Sequence, residues 1–183
     1  MTILVRPEEP ADAAAVQRVI AAAFRTVDGT VDGKVDGKVA EVGLNEALRR
    51  DPAWIADLCL VAVRDGRVVG QLTSSNGTLT DPAGGRRRVV GVGPVSVHPD
   101  EQGAGVGRTL LTTLIDRARQ AGESALVLLG DPAFYGRFGF RRAADVGIAA
   151  PDPAWGEHFM ALVLRAGLPA AGSFRYAAPF DAF

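Results

Sequence analysis

Three glycines at alternate positions stand in Gln102-Gly103-Ala104-Gly105-Val106-Gly107-Arg108, immediately ahead of a run with helical apolar spacing. Glycine lets consecutive backbone N–H groups turn toward one point, and a helix start adds unpaired N–H groups and the positive end of the helix dipole. The chemistry of such a loop is anion binding, with small side chains admitting phosphate oxygens. No Lys-Ser/Thr pair follows, as a P-loop requires, and the G-x-G-x-G spacing is not the dinucleotide fingerprint. The loop therefore points to a phosphate-bearing ligand of another class.

Other reactive side chains are sparse. Cys59, the single cysteine, sits in the apolar run Leu58-Cys59-Leu60-Val61 and reads as a small buried thiol, which leaves no disulfide framework. His98 and His158 have no spacing to a second ligand or nucleophile, so neither a metal site nor a Ser-His hydrolase is expected. Glu101 and Asp131 flank the glycine loop and a later turn, and read as a solvated acid near a helix start and a turn former before Pro132. Arg86-Arg87-Arg88 lies in a polar stretch without interleaved aromatics and reads as a solvated connection. With 20 Lys+Arg against 21 Asp+Glu, no overall field favours nucleic acid or a membrane surface. The Met1 to Pro7 segment is too short for a signal peptide and no segment reaches transmembrane length, so a cytoplasmic protein is expected.

The elements that must carry these residues follow from periodicity. At 183 residues and 48% hydrophobic composition, one domain with one core is expected. Ile3 to Arg6 predicts a strand, and Pro10-Ala11-Asp12 opens a helix through Val16, Val19, Ile20, Ala23 and Phe24. The repeated Val-Asp-Gly of residues 27–38 is low in complexity and predicts a mobile insertion before a helix from Val39 to Arg50. Asp65-Gly66 predicts a tight hairpin between strands Leu58 to Val63 and Val68 to Thr73. Asn76 to Arg88 reads as a polar connection into the strand Val89 to Val97. Pro94 cannot donate to a ladder, so that strand should bend, bulge or split there, which is a place to put a ligand. Val106, Leu110, Leu111, Leu114, Ile115 and Ala118 form one stripe of a helix, followed by the apolar strand Ala125 to Leu129 and hence a parallel crossover. A short helix carries Phe134 and Tyr135, Phe159 to Leu164 reads as a last strand, and Gly167 to Phe183 shows no clear periodicity.

Val97-His98-Pro99-Asp100-Glu101-Gln102-Gly103-Ala104-Gly105-Val106-Gly107-Arg108 resembles the acetyl-CoA signature Q/R-x-x-G-x-G/A of the GNAT superfamily of N-acetyltransferases. Downstream, Phe134-Tyr135-Gly136-Arg137-Phe138-Gly139-Phe140 is similar to the superfamily's Y-x-x-x-G-F segment, in the branch with G-D-P-x-[FY]-Y-x-R-F-G-F. The resemblance implies an α/β fold with a mixed sheet of six to seven strands, splayed at the acetyl-CoA site and flanked by about four helices. It implies an N-acetyltransferase domain over residues 1–165, with 166–183 a tail that can pack on it. It further implies that the strand carrying Val95, Ser96 and Val97 offers backbone groups to pantetheine. The pyrophosphate then lies on Gln102, Gly103, Ala104, Gly105, Val106, Gly107 and Arg108, with Phe134 and Phe138 as walls. Tyr135 takes the role of general acid to the CoA thiolate. No acid in the strand Val89 to Val97 offers a general base, and Glu101 and Asp131 are the flanking alternatives.

The implied activity is acetyl transfer from acetyl-CoA to a primary amine of a small molecule or peptide, by direct attack in a ternary complex. A non-catalytic acyl-CoA sensor or interaction module on the same fold, and an enzyme for another acyl-CoA, are the competing readings. The acceptor amine has no signature in the sequence. Exposed sheet edges and the aromatic tail are compatible with a monomer or a homodimer.

Overall fold

A computed structural model describes residues 2–24, 34–35 and 38–183. Strand β1 (Leu4–Pro7) leads through a 3-10 turn into helix α1 (Ala13–Ala23). Two short strands, β2 (Lys34–Val35) and β3 (Lys38–Val39), pair antiparallel ahead of helix α2 (Ala40–Arg50). Most of the 27–38 repeat, and with it the expected insertion, lies outside the described residues. Asp65 and Gly66 both take positive φ, 49° and 74°, and turn β4 (Leu60–Arg64) tightly into β5 (Arg67–Thr80). β6 (Arg86–Val97), helix α3 (Val106–Gln120) and β7 (Ala125–Leu129) form the expected parallel crossover. A one-turn helix α4 (Pro132–Tyr135) and strands β8 (Arg141–Arg142), β9 (Ile148–Ala149), β10 (Phe159–Val163) and β11 (Gly172–Arg175) complete the chain.

The main sheet runs β1-β4-β5-β6-β7-β10-β8, with β6–β7 its parallel neighbours, and β11 and β9 extend it from β5. The resemblance implied six to seven strands; the main path holds seven, and β11 comes from the tail that lacked periodicity. α3 lays Leu110, Leu111, Leu114 and Ala118 on one face, against Leu72, Val90, Leu126 and Leu128. Each such Leu contributes about 1.5–3 kcal/mol by leaving water. Val16 and Ile20 of α1 and Val42 of α2 cover the opposite face at Val61. Alternate residues of β7 serve both layers, Leu126 and Leu128 toward α3 and Ala125 and Val127 toward Phe159 and Phe174.

One sequence expectation fails in this region. Asn76 to Arg88 is not a connection: Asn76–Thr80 belong to β5 and Arg86–Arg88 to β6, leaving a tight turn at residues 81–85. Asp81 Oδ1 accepts from the N–H groups of Ala83 (2.9 Å) and Gly85 (2.8 Å) to close it. Leu79 is buried between the half-buried Thr78 and Thr80, a one-face burial that polar density concealed. Arg88 is fixed by an ion pair to the buried Glu123 at 2.6 Å.

Candidate active site

The β6–β7 ladder pairs Val90 with Leu126, Gly91 with Val127 and Val92 with Leu128, and goes no further. Opposite, β6 spends three steps from Val92 to Val95 where β5 spends two from Ser74 to Leu72, a bulge at Gly93 and Pro94. Pro94 has no N–H to donate, so the ladder is interrupted where the sequence predicted. β6 then stays with β5 and parts from β7, opening a cleft between Val95–Val97 and Leu129.

Register decides which backbone groups face that cleft. His98 N donates to Val69 O at 2.9 Å, so by antiparallel alternation Ser96 exchanges its backbone bonds with Gln71. Val95 and Val97 therefore turn their N–H and C=O groups to the open side. Ser96, expected beside them at the cofactor, stands between them with the opposite direction. Its backbone faces β5, and its buried hydroxyl accepts from Gln71 Nε2 at 2.8 Å. The same Nε2 donates to Pro94 O at 3.0 Å and holds the bulge. Behind it a buried polar chain runs from Gln71 Oε1 to Thr73 Oγ1 (3.0 Å), Asn45 Nδ2 (2.8 Å, to Thr73) and Arg49 (2.8 Å, to Asn45 Oδ1).

At one end of the cleft lies the glycine loop. Gly103 and Gly105 take φ of 76° and 84°, and the space a Cβ would fill at each is open. Gly105 precedes α3, whose first turn has no side-chain cap, so its N–H groups are left to a ligand. A cavity of about 640 Å³ is lined here by Val97, Gln102, Arg108, Phe134 and Phe138 with the glycines. Gln102 Nε2 donates to Val97 O at 3.3 Å, and Ala104 is exposed while Val106 is buried beneath the loop. Phe134 and Phe138 meet edge to face at 5.5 Å, with Phe134 3.4 Å from the space beside Gly107. Open glycines at an uncapped helix start fit a diphosphate.

At the other end, a cavity of about 710 Å³ is lined by Val92 to Val95, Leu129 to Asp131, Tyr135, the start of α2 and the tail. The Tyr135 ring lies on Gly130, where a Cβ would overlap it, and stands edge-on to Phe134 at 5.0 Å. Burial, and then the Asp131 charge, push its pKa up to about 12, so the phenol is protonated at neutral pH. Asp131 itself caps α4, accepting from Ala133 N at 2.8 Å. Glu101 is ion-paired with Arg64 and lines the glycine-loop cavity, not the one at Tyr135.

Several lining residues carried no mark in the sequence. Glu41, in the first turn of α2, has a solvent-inaccessible Oε2 without a hydrogen-bond partner among the described residues. Tyr176 stacks on Phe180 at 4.4 Å and meets Phe174 edge-on at 4.8 Å; burial, and then Tyr135, raise its pKa above the ordinary phenol value. These tail residues follow no periodicity, and only the strand pairing of β11 delivers them.

Cys59 is buried, exchanges hydrogen bonds with the Ser74 backbone at 3.2 Å and has its pKa pushed up to about 12 by burial, so it is no nucleophile. Among the described residues, no cluster of His, Cys, Asp and Glu has the arrangement of a metal site. Nor is any of their helices long and apolar enough to cross a membrane.

Residues 5–143 match the family model described as an acetyltransferase (GNAT) domain. The chain is 34% identical over 143 residues to the uncharacterized N-acetyltransferase YhbS of Escherichia coli (strain K12), covering 78% of this chain and 75% of that one. The crystal structure of YhbS in complex with CoA superposes with a TM-score of 0.81 at 29% identity, over 98% of this chain and 92% of the other. A GNAT family acetyltransferase from Brucella melitensis in complex with acetyl-CoA gives a TM-score of 0.76 at 33% identity, over 98% and 99%. With the motifs, the cleft and these relatives in agreement, the chain belongs to the GNAT acetyltransferase family.

Proposed function

We propose that this protein transfers an acetyl group from acetyl-CoA to a primary amine, both substrates being bound together in the cleft between β6 and β7. The observation that carries the reading is the end of the β6–β7 ladder at Val92 and Leu128, with an anion cradle at one end and Tyr135 at the other. The relatives bound to CoA and acetyl-CoA support the same assignment.

Pantetheine would lie along β6 and take the open-side backbone groups of Val95 and the N–H of Val97, whose carbonyl already accepts from Gln102, with its diphosphate on Gln102 to Arg108. Bound acetyl-CoA supplies an activated acyl carbon and a thiol leaving group. The amine nitrogen attacks that carbon, the C–N bond forms, and the C–S bond breaks with its electron pair left on sulfur. Tyr135 donates its phenolic proton to the sulfur, and the proton that the nitrogen gives up to complete the amide passes through solvent to restore the phenol. Cys59 is sealed from the cleft, which favours direct attack over an acyl-enzyme. Holding both substrates in one cleft replaces a bimolecular encounter by an oriented one.

The test is calorimetry with acetyl-CoA on the wild type and on Gly105→Glu. The new carboxylate would occupy the cradle and repel phosphate, so micromolar binding, about −8 kcal/mol, is expected in the first and none in the folded variant. A folded wild type that binds no acyl-CoA would overturn the reading.

A further inference from the structure

We propose that the acceptor is an arylalkylamine, a primary ammonium on an aromatic body, and that Glu41 is the residue that receives its ammonium. This inference rests on the acetyltransferase reading above and adds the substrate class.

The first ground is Glu41 itself. Its Oε2 is closed to solvent and has no donor among the described residues, while the residue lines the cavity that holds Tyr135. A first-turn acid complements the helix dipole, but that role leaves a carboxylate in water. A buried acceptor left unmade costs about 1–3 kcal/mol, and more when charged, so the missing donor is a ligand's. An ammonium carries three.

The second ground is the charge of the remaining wall. Asp131 is engaged by the Ala133 N–H, and Asp181 holds Arg175 at 2.6 Å. Three carboxylates, Glu41, Asp131 and Asp181, thus face one guanidinium, a net of −2 among the lining side chains. Among the described residues the single lining cation is already paired, so none of their side chains is left to neutralise a substrate carboxylate. A cationic acceptor fits, and a free amino acid does not.

The third ground is the rest of the lining. Phe24, Leu44, Trp155, Tyr176 and Phe180 surround the acids with apolar and aromatic surface. Small polar amines would leave that surface wet. An aromatic ring would cover it, with the chain leading from the ring to an ammonium held by Glu41 on the cleft side, where its nitrogen can meet the acyl carbon once it has lost its proton.

The experiment measures CoA thiol release from acetyl-CoA with 2-phenylethylamine, ethylamine and phenylalanine, on wild type and on Glu41→Gln. Acetyl-CoA affinity is followed by calorimetry in parallel. Expected are a kcat/KM for 2-phenylethylamine at least about tenfold above those for ethylamine and phenylalanine. Glu41→Gln should raise the KM for 2-phenylethylamine by about tenfold or more and leave the acetyl-CoA Kd unchanged. Glu41→Asp, which keeps the charge, should recover part of the KM. If acetyl-CoA binds but ethylamine or phenylalanine is as good an acceptor, the substrate class is overturned and the acetyltransferase reading stands. An unchanged KM in a folded Glu41→Gln removes the ammonium role in the same way. If acetyl-CoA does not bind, both fall together.

Discussion

Tyr135 owes its position to Gly130, because the ring occupies the volume a side chain would need at that residue. Tyr135→Phe should lower kcat by about ten- to a hundredfold, toward the low end for general acids because thiols leave easily. Acetyl-CoA affinity by calorimetry should not change. Because the phenol's pKa is raised to about 12, its acid form persists through the alkaline range. The wild-type kcat should therefore rise or stay level from neutral pH to about 10 as the amine deprotonates, and a fall in that range would exclude Tyr135 as the acid. Gly130→Ala should push the ring aside and lower kcat while sparing acetyl-CoA binding, read by the same pair of assays. At this scale the sequence was informative where a motif constrained it. Tyr135 and the glycine loop stand in recognisable spacing, whereas Glu41 is one of two acids on its helix, and its proposed role comes only from its surroundings in the fold.

Among the elements, β6 does most to shape the site. Its bulge depends on Gln71, whose amide bonds both the Pro94 carbonyl and Ser96. Gln71→Leu should remove those bonds and leave buried oxygens unmet, lowering stability by about 1–3 kcal/mol in urea unfolding. It should also weaken acetyl-CoA binding, since Val95 and Val97 would lose their fixed direction. That a break occurs at Pro94 could be read from proline's missing donor. Which neighbour β6 abandons could not, because the answer lies in Gln71, in a strand more than twenty residues earlier. The same limit explains Ser96, whose place between Val95 and Val97 says nothing until the register with β5 is known. It also explains the misread Arg86-Arg87-Arg88, where the strand is stabilised by pairing to β5 and not by its own composition.

The molecule as a whole closes its site with the segment that had no local pattern. β11 adds to the far half of β5 and sets Phe174 in the core, 3% exposed, beside Phe159 and Tyr176. Its seat is prepared by glycines on other strands, since a Cβ at Gly77 would overlap Phe174 and one at Gly91 would come within 2.8 Å of Tyr176. Phe174→Ala should cost about 3–5 kcal/mol, measured by chemical unfolding, and should raise the acceptor KM more than the acetyl-CoA Kd. Such complementarity is long-range, so periodicity within the tail had nothing to report. The gap between β6 and β7 has one more consequence if, as proposed, its two mouths serve two different molecules. A single compound in which CoA sulfur is joined through an acetyl bridge to an amine would occupy both at once. Each half would then hold the other at high effective concentration, making such a hybrid a tighter inhibitor than either fragment alone.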